Sequence, residues 1–550
     1  MVLAASQPIN ADSSIYVVIE GQADPASVLR LRMQTEPLSL NPITADGASA
    51  ADINAFVVES LLALDQETNR WIPQLADRFT RATDGRSFEF HLRTGARWSD
   101  AMPVTAFDVK FSFDAIFDDR YRAAHMRPYY EGIAGVDVLD ESTVRFRTGG
   151  VYYADLAACA QLPIVPRHVY ELRAGAASAF NVGLQGTVIG SGPYVFASWQ
   201  AGRSIRLDRN PLWWGGGGAS PTPNQDGRPE SLRFLFVSDD SVALQLMRRR
   251  ELDYTPLTGD EYARLEAEAK NPRQGSDFTV VRVRNQSPKN VKSVVFNLER
   301  PLFQDPRVRE ALNLLADREG MIRRFFHGYM AAAAGPWYKQ NAYADGRVSP
   351  LPFDPARALE LLRGAGWNDA EGEFTLSRLV DGKKTDLRFE LLVFDRDDLR
   401  YLTALKEDAR QIGVAIELKV VGESAFNEAL RTGQFEAADF SHGAVWVEFD
   451  PKSSWHSTRF PDAGINYGRY AQPEADALID QALRELDGGR RIPIMQALFR
   501  TIARALPEIF LFNETDTFYA VQKRVERDRD SYGYDVGINR WRVTAGEGEK

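Results

Sequence analysis

Segments typical of β-strands alternate with segments typical of α-helices along most of this chain, and this alternation restricts its fold more than any other feature. Near the start, apolar and charged residues alternate over 28–33, which is the pattern of a half-buried strand. Residues 87–93 alternate in the same way until Gly95, and Thr105 then provides an N-cap for a predicted helix. The pattern predicts α/β lobes with parallel strand pairing, in preference to a helix bundle or a β-sandwich.

The same two patterns continue towards the C-terminus. An amphipathic helix is predicted around 53–64, because apolar residues recur there at spacings of three and four. Further helices are predicted at 306–326, 355–364, 398–412, 424–432, 473–485 and 491–505, and strands at 294–297, 387–394 and 415–420.

The chain is too long for a single hydrophobic core. Its 550 residues exceed the roughly 250–300 at which one core stops growing, so several domains are expected. The polar, turn-rich stretch 285–289 divides the preceding part from a region that has its own predicted helices and strands.

Charge and cysteine usage narrow the class of protein. The formal net charge is −10, so there is no basic excess with which to bind nucleic acid. The single cysteine, Cys159, forms no intrachain disulfide and lies in an apolar stretch, as a small buried side chain would. No apolar run of about 18 residues predicts a membrane span. The first residues lack the pattern of a secretory signal, which leaves a cytosolic protein or one whose signal is absent from this sequence.

Several short blocks occur in a particular order along the chain. They are found at 88–113, 163–168, 190–215, 296–318 and 353–367. The most specific is the fourth, which combines Phe296-Asn297, Pro301-Leu302-Phe303 and Asp317-Arg318. In this order the blocks resemble the family 5 extracellular solute-binding proteins, which bind oligopeptides, dipeptides or nickel for bacterial ABC importers.

The resemblance implies a periplasmic-binding-protein-like α/β fold, in which two lobes are joined by two hinge crossings and an extra domain is inserted. The crossings are expected at 285–289 and 518–521. The implied domains are domain I at 28–66, 186–286 and 520–550, domain II at 67–185, and domain III at 287–519.

The resemblance also implies a ligand loop at 443–451. Trp446 would form a wall against the ligand, and the backbone of 443–447 would pair with an extended ligand. Peptide binders of the family have an aspartate at the position of Val447, so Glu448 is the nearest available carboxylate. The expected ligand-binding residues of this loop are Gly443, Ala444, Val445, Trp446, Val447 and Glu448.

Other residues resemble positions of the family that face the ligand or follow the loop. For each of them, packing in the core, exposure to solvent or structural ion pairing is the alternative interpretation. An arginine among them would bind a carboxylate or phosphate through two hydrogen bonds. These residues are Glu36, Glu59, Ser60, Trp455, Arg459, Tyr467 and Arg469.

The expected function is that of the substrate-binding component of an ABC importer, which captures an oligopeptide or related solute and delivers it to permease subunits. A sugar, an opine-like conjugate or a metal chelate is the alternative ligand, the last because His442 and His456 flank the loop. A hydrolase is a remote alternative, since no catalytic motif is present. We expect no cofactor, no structural metal and a monomer in the periplasm or outside the cell, with lipid anchoring left open.

Overall fold

Two large β-sheets and one smaller sheet organise the chain. A computed structural model describes residues 27–45, 47–171, 188–215, 229–270, 277–369, 374–380, 382–443, 447–460 and 464–544.

The strands are named in chain order. They are β1 Val28–Met33, β2 Leu62–Leu64, β3 Trp71–Pro73, β4 Ala76–Arg81, β5 Ser87–Leu92, β6 Ile133–Val138, β7 Thr143–Thr148, β8 Tyr194–Gln200, β9 Ser204–Arg209, β10 Ser231–Phe236, β11 Tyr254–Leu257, β12 Phe278–Val283, β13 Val291–Phe296, β14 Met330–Ala332, β15 Ser377–Val380, β16 Lys383–Asp386, β17 Arg388–Val393, β18 Ala415–Val420, β19 Ala437–His442, β20 Glu508–Glu514, β21 Thr517–Gln522, β22 Val525–Glu526 and β23 Arg542–Val543.

The α-helices are named in the same way. They are α1 Ala48–Val57, α2 Ala106–Phe117, α3 Arg127–Tyr130, α4 Asp155–Ala160, α5 Arg167–Tyr170, α6 Asp240–Arg248, α7 Gly259–Ala269, α8 Pro301–Gln304, α9 Pro306–Leu314, α10 Arg318–Phe325, α11 Pro355–Gly364, α12 Leu399–Gln411, α13 Glu423–Thr432, α14 Lys452–Trp455, α15 Pro473–Arg484 and α16 Gly488–Ala505.

Each of the three sheets defines a unit of the molecule. The seven-stranded unit has the strand order β12-β21-β11-β1-β10-β9-β8, the six-stranded unit β14-β20-β13-β19-β17-β18, and the four-stranded unit β4-β5-β7-β6. Parallel pairing joins β1 to β10 and β11, and β17 to β18 and β19. The α/β class is therefore confirmed, although both large sheets are mixed because hairpins such as β8–β9 add antiparallel strands.

The chain passes between the two large sheets at two places. The first connection, 284–290, joins β12 to β13 and contains the predicted crossing 285–289. The second connection is 515–516, between β20 and β21. The prediction of a crossing at 518–521 is wrong, because those residues pair with both β11 and β12 inside the seven-stranded sheet. The division into three domains stays a prediction.

The four-stranded unit is packed onto the beginning of the chain. Its core contains Phe88, Phe90 and Phe146, together with Leu61 and Leu62 from the segment that follows α1. This shared core attaches the four-stranded unit to the seven-stranded side of the molecule.

Two predicted helices have different bounds in the structure. The helix predicted around 53–64 ends with α1 at Val57, and 62–64 forms β2 against β3. The helix predicted at 306–326 is divided into α9 and α10, because Asp317 accepts a hydrogen bond from the Gly320 backbone N–H and starts a new helix.

Candidate functional site

The predicted ligand loop begins where β19 ends, next to the two connections between the large sheets. Gly443 lies beside Asn290, whose Oδ1 is 3.3 Å from the position that a Cβ on Gly443 would occupy. On the other side of Asn290, its carbonyl accepts a hydrogen bond of 3.2 Å from the Glu514 backbone N–H. Ala444, Val445 and Trp446 lie outside the described residues, so the wall role of Trp446 stays a prediction.

Glu448 forms an ion pair with a buried arginine. Its Oε2 accepts a hydrogen bond of 2.6 Å from Arg491, whose side chain is 3% exposed while that of Glu448 is 52% exposed. Arg491 also donates to the Tyr343 hydroxyl at 2.9 Å and to the Glu485 carbonyl at 2.8 Å. The carboxylate expected to replace the family aspartate is therefore already paired with a cation of the protein.

The rest of the loop is held by hydrogen bonds and aromatic packing. The Val447 carbonyl accepts a hydrogen bond of 2.8 Å from the Asn341 side chain. Val447 thus contributes a backbone hydrogen bond, where the family aspartate would contribute a charged side chain. Phe449 packs against Trp337 with ring centroids 5.3 Å apart. Asp450 accepts a hydrogen bond of 2.7 Å from the Tyr152 hydroxyl.

The opposite side of the loop faces the C-terminal segment. Burial raises the pKa of Tyr534, and the negative charge of Glu448 raises it further. The Tyr534 hydroxyl donates to Gln286 at 2.6 Å, and its backbone N–H donates to the Gln66 carbonyl at 2.8 Å. Glu448 is thus close to residues that belong to the first connection and to the seven-stranded side.

Glu514 is a carboxylate that sequence reasoning missed. It is half-buried. Each of its two oxygens accepts a hydrogen bond of 3.3 Å from the side-chain amide of Asn290, and one of them also accepts a hydrogen bond of 3.4 Å from the Asn290 backbone N–H. No ion pair within 4.0 Å includes it among the described residues, and its charge opposes the lowering of the Lys289 pKa that burial causes. A charged residue two positions after the apolar run 509–512 was the available sequence signal, but strand order was needed to place it on the other side of Asn290 from Gly443.

Glu59 is buried and is held by two tryptophans. Its two oxygens accept hydrogen bonds from the indole N–H groups of Trp213 at 3.1 Å and Trp214 at 3.0 Å. Burial raises the pKa of Glu59 to about 7, although the two indole hydrogen bonds and the charge of Arg93 each lower it. With 1% of the residue exposed, Glu59 does not face a ligand as predicted, because the indoles cover it.

Two other predicted residues on the seven-stranded side also have partners within the protein. The Ser60 hydroxyl donates to the Leu62 carbonyl at 2.8 Å and lies 3.0 Å from the Gln74 side-chain oxygen. Glu36 accepts hydrogen bonds from the Trp199 indole at 2.6 Å and from the Gly202 backbone N–H at 2.9 Å. Ser60 therefore fixes the segment before β2, Glu36 fixes the turn between β8 and β9, and a ligand contact of either residue stays a prediction.

Trp455 and Tyr467 surround His442 on one face of the six-stranded sheet. Trp455 is 4% exposed and stacks on His442 with ring centroids 5.5 Å apart. His442 in turn lies 2.8 Å from a Glu508 oxygen. Tyr467 is half-buried and packs edge-to-face on Phe440. Of the two interpretations given for Trp455, the structure agrees with packing in the core, because its ring is buried against His442.

The two predicted arginines occupy different environments. Arg469 has a side chain that is 9% exposed, with Nε 3.7 Å from Glu299 and Nη2 3.4 Å from the Arg431 carbonyl. Its side chain is therefore largely buried against its neighbours in the six-stranded unit, and a ligand contact stays a prediction. Arg459 is half-buried close to Tyr152, where its charge partly opposes the rise of the Tyr152 pKa that burial and Asp450 cause.

Possible metal ligands and one Asp–His–Ser arrangement were also located in the described ranges. These ranges contain no group of three or more histidine, cysteine, aspartate or glutamate side chains that could hold a metal ion. His91 lies between Asp77, 3.0 Å from its Nδ1, and the Ser142 hydroxyl, 3.5 Å from its Nε2, but that hydroxyl donates to Asp140 at 2.8 Å. None of the helices described is long and apolar enough to span a bilayer.

Two α/β units that meet at a polar loop, with two chain connections beside it, define the class of two-lobed binding proteins. The model of the bacterial extracellular solute-binding proteins, family 5, matches residues 70–463. The chain belongs to this family, and it is the substrate-binding component of an ABC importer, located in the periplasm or outside the cell. The predicted family and function are thus confirmed.

Individual relatives agree in length as well as in fold. Protein XP55 of Streptomyces lividans is 25% identical over 515 residues, which cover 92% of this chain and 86% of that protein. The structure of NikA from Brucella suis in complex with Fe(III)-EDTA has a TM-score of 0.78 at 19% identity, covering 95% of this chain and 100% of NikA. The oligopeptide-binding protein AppA from Bacillus subtilis, in complex with a nonapeptide, has a TM-score of 0.71 at 20% identity, covering 94% and 99%.

Proposed function

We propose that the protein captures an oligopeptide, or a related solute with a free amino group, between the six-stranded and seven-stranded units. It then delivers this solute to the permease of the importer. The protein acts as a monomer and returns the solute unchanged.

The carboxylate of Glu514 is the observation that carries this proposal. It lies one asparagine side chain away from Gly443, at the start of the ligand loop. A half-buried carboxylate attracts an ammonium group more strongly than an exposed one, because less water screens the charge. An ammonium group that binds Glu514 would add the strong hydrogen bonds that the long contacts from Asn290 do not provide.

Glu448 is less suitable as the ammonium acceptor. Arg491 already neutralises it at 2.6 Å, and a ligand ammonium would have to compete with that buried cation. We therefore assign the ammonium contact to Glu514, and the contact with an extended ligand backbone to the loop that follows β19.

The relatives support both a peptide and a chelate as the kind of ligand. AppA was solved with a nonapeptide and NikA with Fe(III)-EDTA. A chelate is less favoured here, because His442 contacts Glu508, and His456 lies 2.8 Å from the Thr458 hydroxyl. A sugar or opine-like conjugate loses the stacking surface of Trp455, which is buried.

The proposal can be tested with a tryptic digest of casein, offered before and after acetylation of its amines. Native mass spectrometry would identify retained peptides, and thermal unfolding would measure the stabilisation, which is about 2.7 kcal/mol at a hundredfold excess over Kd. We expect retention of unmodified peptides only, and weaker retention by Glu514→Gln than by Glu448→Gln. Retention of neither digest, with stabilisation by oligosaccharides or metal chelates instead, would contradict peptide capture.

A further inference from the structure

The four-stranded unit reaches the ligand loop through two adjacent tyrosines. Tyr152 and Tyr153 lie between β7 and α4. Both ends of this segment are fixed in the core of the four-stranded unit, by Phe146 of β7 and by Cys159 of α4. The two tyrosines lie outside that core. Tyr153 packs instead in the hydrophobic cluster of the six-stranded unit.

Tyr152 contacts the ligand loop directly. Its hydroxyl donates a hydrogen bond of 2.7 Å to Asp450 Oδ2, and the other oxygen of Asp450 accepts the Lys452 backbone N–H at 2.7 Å. Because one partner is a half-buried carboxylate, this hydrogen bond belongs to the stronger, charge-assisted class. Asp450 is thereby held between the start of α14 and a residue of another unit.

Tyr153 contacts the residue that holds Glu448. The guanidinium carbon of Arg491 lies 4.0 Å from the centre of the Tyr153 ring, a cation–π distance. The backbone N–H of Tyr153 donates to the Leu483 carbonyl at 3.0 Å, and the residue is 9% exposed. Arg491 then bonds Glu448 at 2.6 Å. The loop is thus contacted at 448 and at 450 through two neighbouring tyrosines.

We propose that Tyr152 and Tyr153, with Asp450 and Arg491, form a tyrosine clasp that positions the ligand loop from the four-stranded unit. The four-stranded unit shares its core with the seven-stranded side, so the clasp joins the two sides of the molecule at the loop, in addition to the two chain connections. Because the clasp holds the loop in position, its loss should let a solute held by the loop dissociate faster. This role presupposes the solute binding proposed above, whereas the fixing of the loop does not require a ligand.

Hydrogen–deuterium exchange tests the positioning without any ligand. In Tyr152→Phe, amides in 447–460 should exchange about tenfold faster than in the unchanged protein, which is the effect of losing one charge-assisted hydrogen bond. Asp450→Ala should give at least this increase, because it also removes the acceptor of the Lys452 backbone N–H, and the double variant should exchange no faster than Asp450→Ala alone. Asp450→Asn keeps one oxygen for the Lys452 N–H, and its amide nitrogen can donate to the Tyr152 hydroxyl, so exchange should be slower than in Asp450→Ala. Tyr129→Phe is the matched control, because Tyr129 is 70% exposed.

The rates of peptide binding separate positioning from general stability. For the casein peptide that the unchanged protein retains most strongly, Tyr152→Phe should raise the dissociation rate about tenfold and leave the association rate within about twofold. Exchange in 447–460 equal to that of the Tyr129→Phe control, or additive effects in the double variant, would overturn the clasp. If no casein peptide is retained, peptide capture fails, and the exchange result still decides whether the clasp exists.

Discussion

Two glutamates that the sequence predicted to face a ligand lie in opposite environments. Glu59 is fully buried beneath two indole rings, and burial raises its pKa to about 7. Glu448 is half in water and is paired with the buried Arg491. The comparison shows that a carboxylate beside a predicted cleft can be used in two ways by the protein itself. One is a hydrogen-bond acceptor inside a core, and the other is the counter-ion of a buried cation.

The largest effect that would distinguish the two glutamates is the dependence of stability on pH. Glu59 keeps its proton in the folded protein up to about pH 7, whereas the unfolded chain releases it near the ordinary 4.5. Between these values the unfolded state binds fewer protons, so stability falls as pH rises through the window and levels off above it. The pKa difference corresponds to about 3 kcal/mol.

Urea unfolding of the unchanged protein and of Glu59→Gln, at several pH values between 4.5 and 7.5, measures this contribution. We expect the pH-dependent loss to be reduced in the variant, because glutamine does not titrate. Glu448→Gln serves as the control and should retain the full pH dependence. Equal slopes in the unchanged protein and Glu59→Gln would show that Glu59 is ionised in both states.

The next largest effect is expected from substitution of Arg491, the buried cation that pairs with Glu448. Arg491→Leu removes hydrogen bonds to Glu448, Tyr343 and the Glu485 carbonyl, and should lower the free energy of unfolding by about 2 kcal/mol. Arg484→Leu is the matched control, because its side chain is 72% exposed and 3.9 Å from Asp480. Denaturant unfolding at neutral pH measures the free energy of unfolding of both variants. Equal values for Arg491→Leu and Arg484→Leu would mean that the Arg491 side chain is solvated and not fixed by its hydrogen bonds.

The smallest effect is expected from Glu448 itself. Glu448→Gln should change the free energy of unfolding by less than about 1 kcal/mol, because half of the side chain is in water and salt screens the pair. Thermal unfolding in low and high salt measures the difference. A loss comparable to that of Arg491→Leu would show that the charge of Glu448 is needed to keep Arg491 buried.

Much of the fold could be predicted from local patterns. The strands at 28–33 and 415–420 were placed correctly, since alternation of side chains depends only on neighbouring residues. The boundary at 57 was missed because Ser60, Leu61 and Leu64 continue a helical spacing, while pairing of β2 with β3 decides their structure. Tertiary pairing of this kind is not visible in a periodicity.

The candidate site was predicted only in part. The loop was located by resemblance, but the fates of Glu448 and Trp455 depended on Arg491 and His442, which pack against them in space. Glu514 and Tyr152 were missed because they come from distant segments that only the strand order and the packed units bring to the loop.

Small-angle X-ray scattering with and without a retained casein peptide tests capture between the two sides most directly. Ligand-free protein would be prepared by partial unfolding, dialysis and refolding, and the unmodified peptide would then be added to saturation. We predict a smaller radius of gyration with the peptide, and no change with its acetylated form. Saturable binding of the peptide with an unchanged radius of gyration would contradict a ligand site between units that close around the solute.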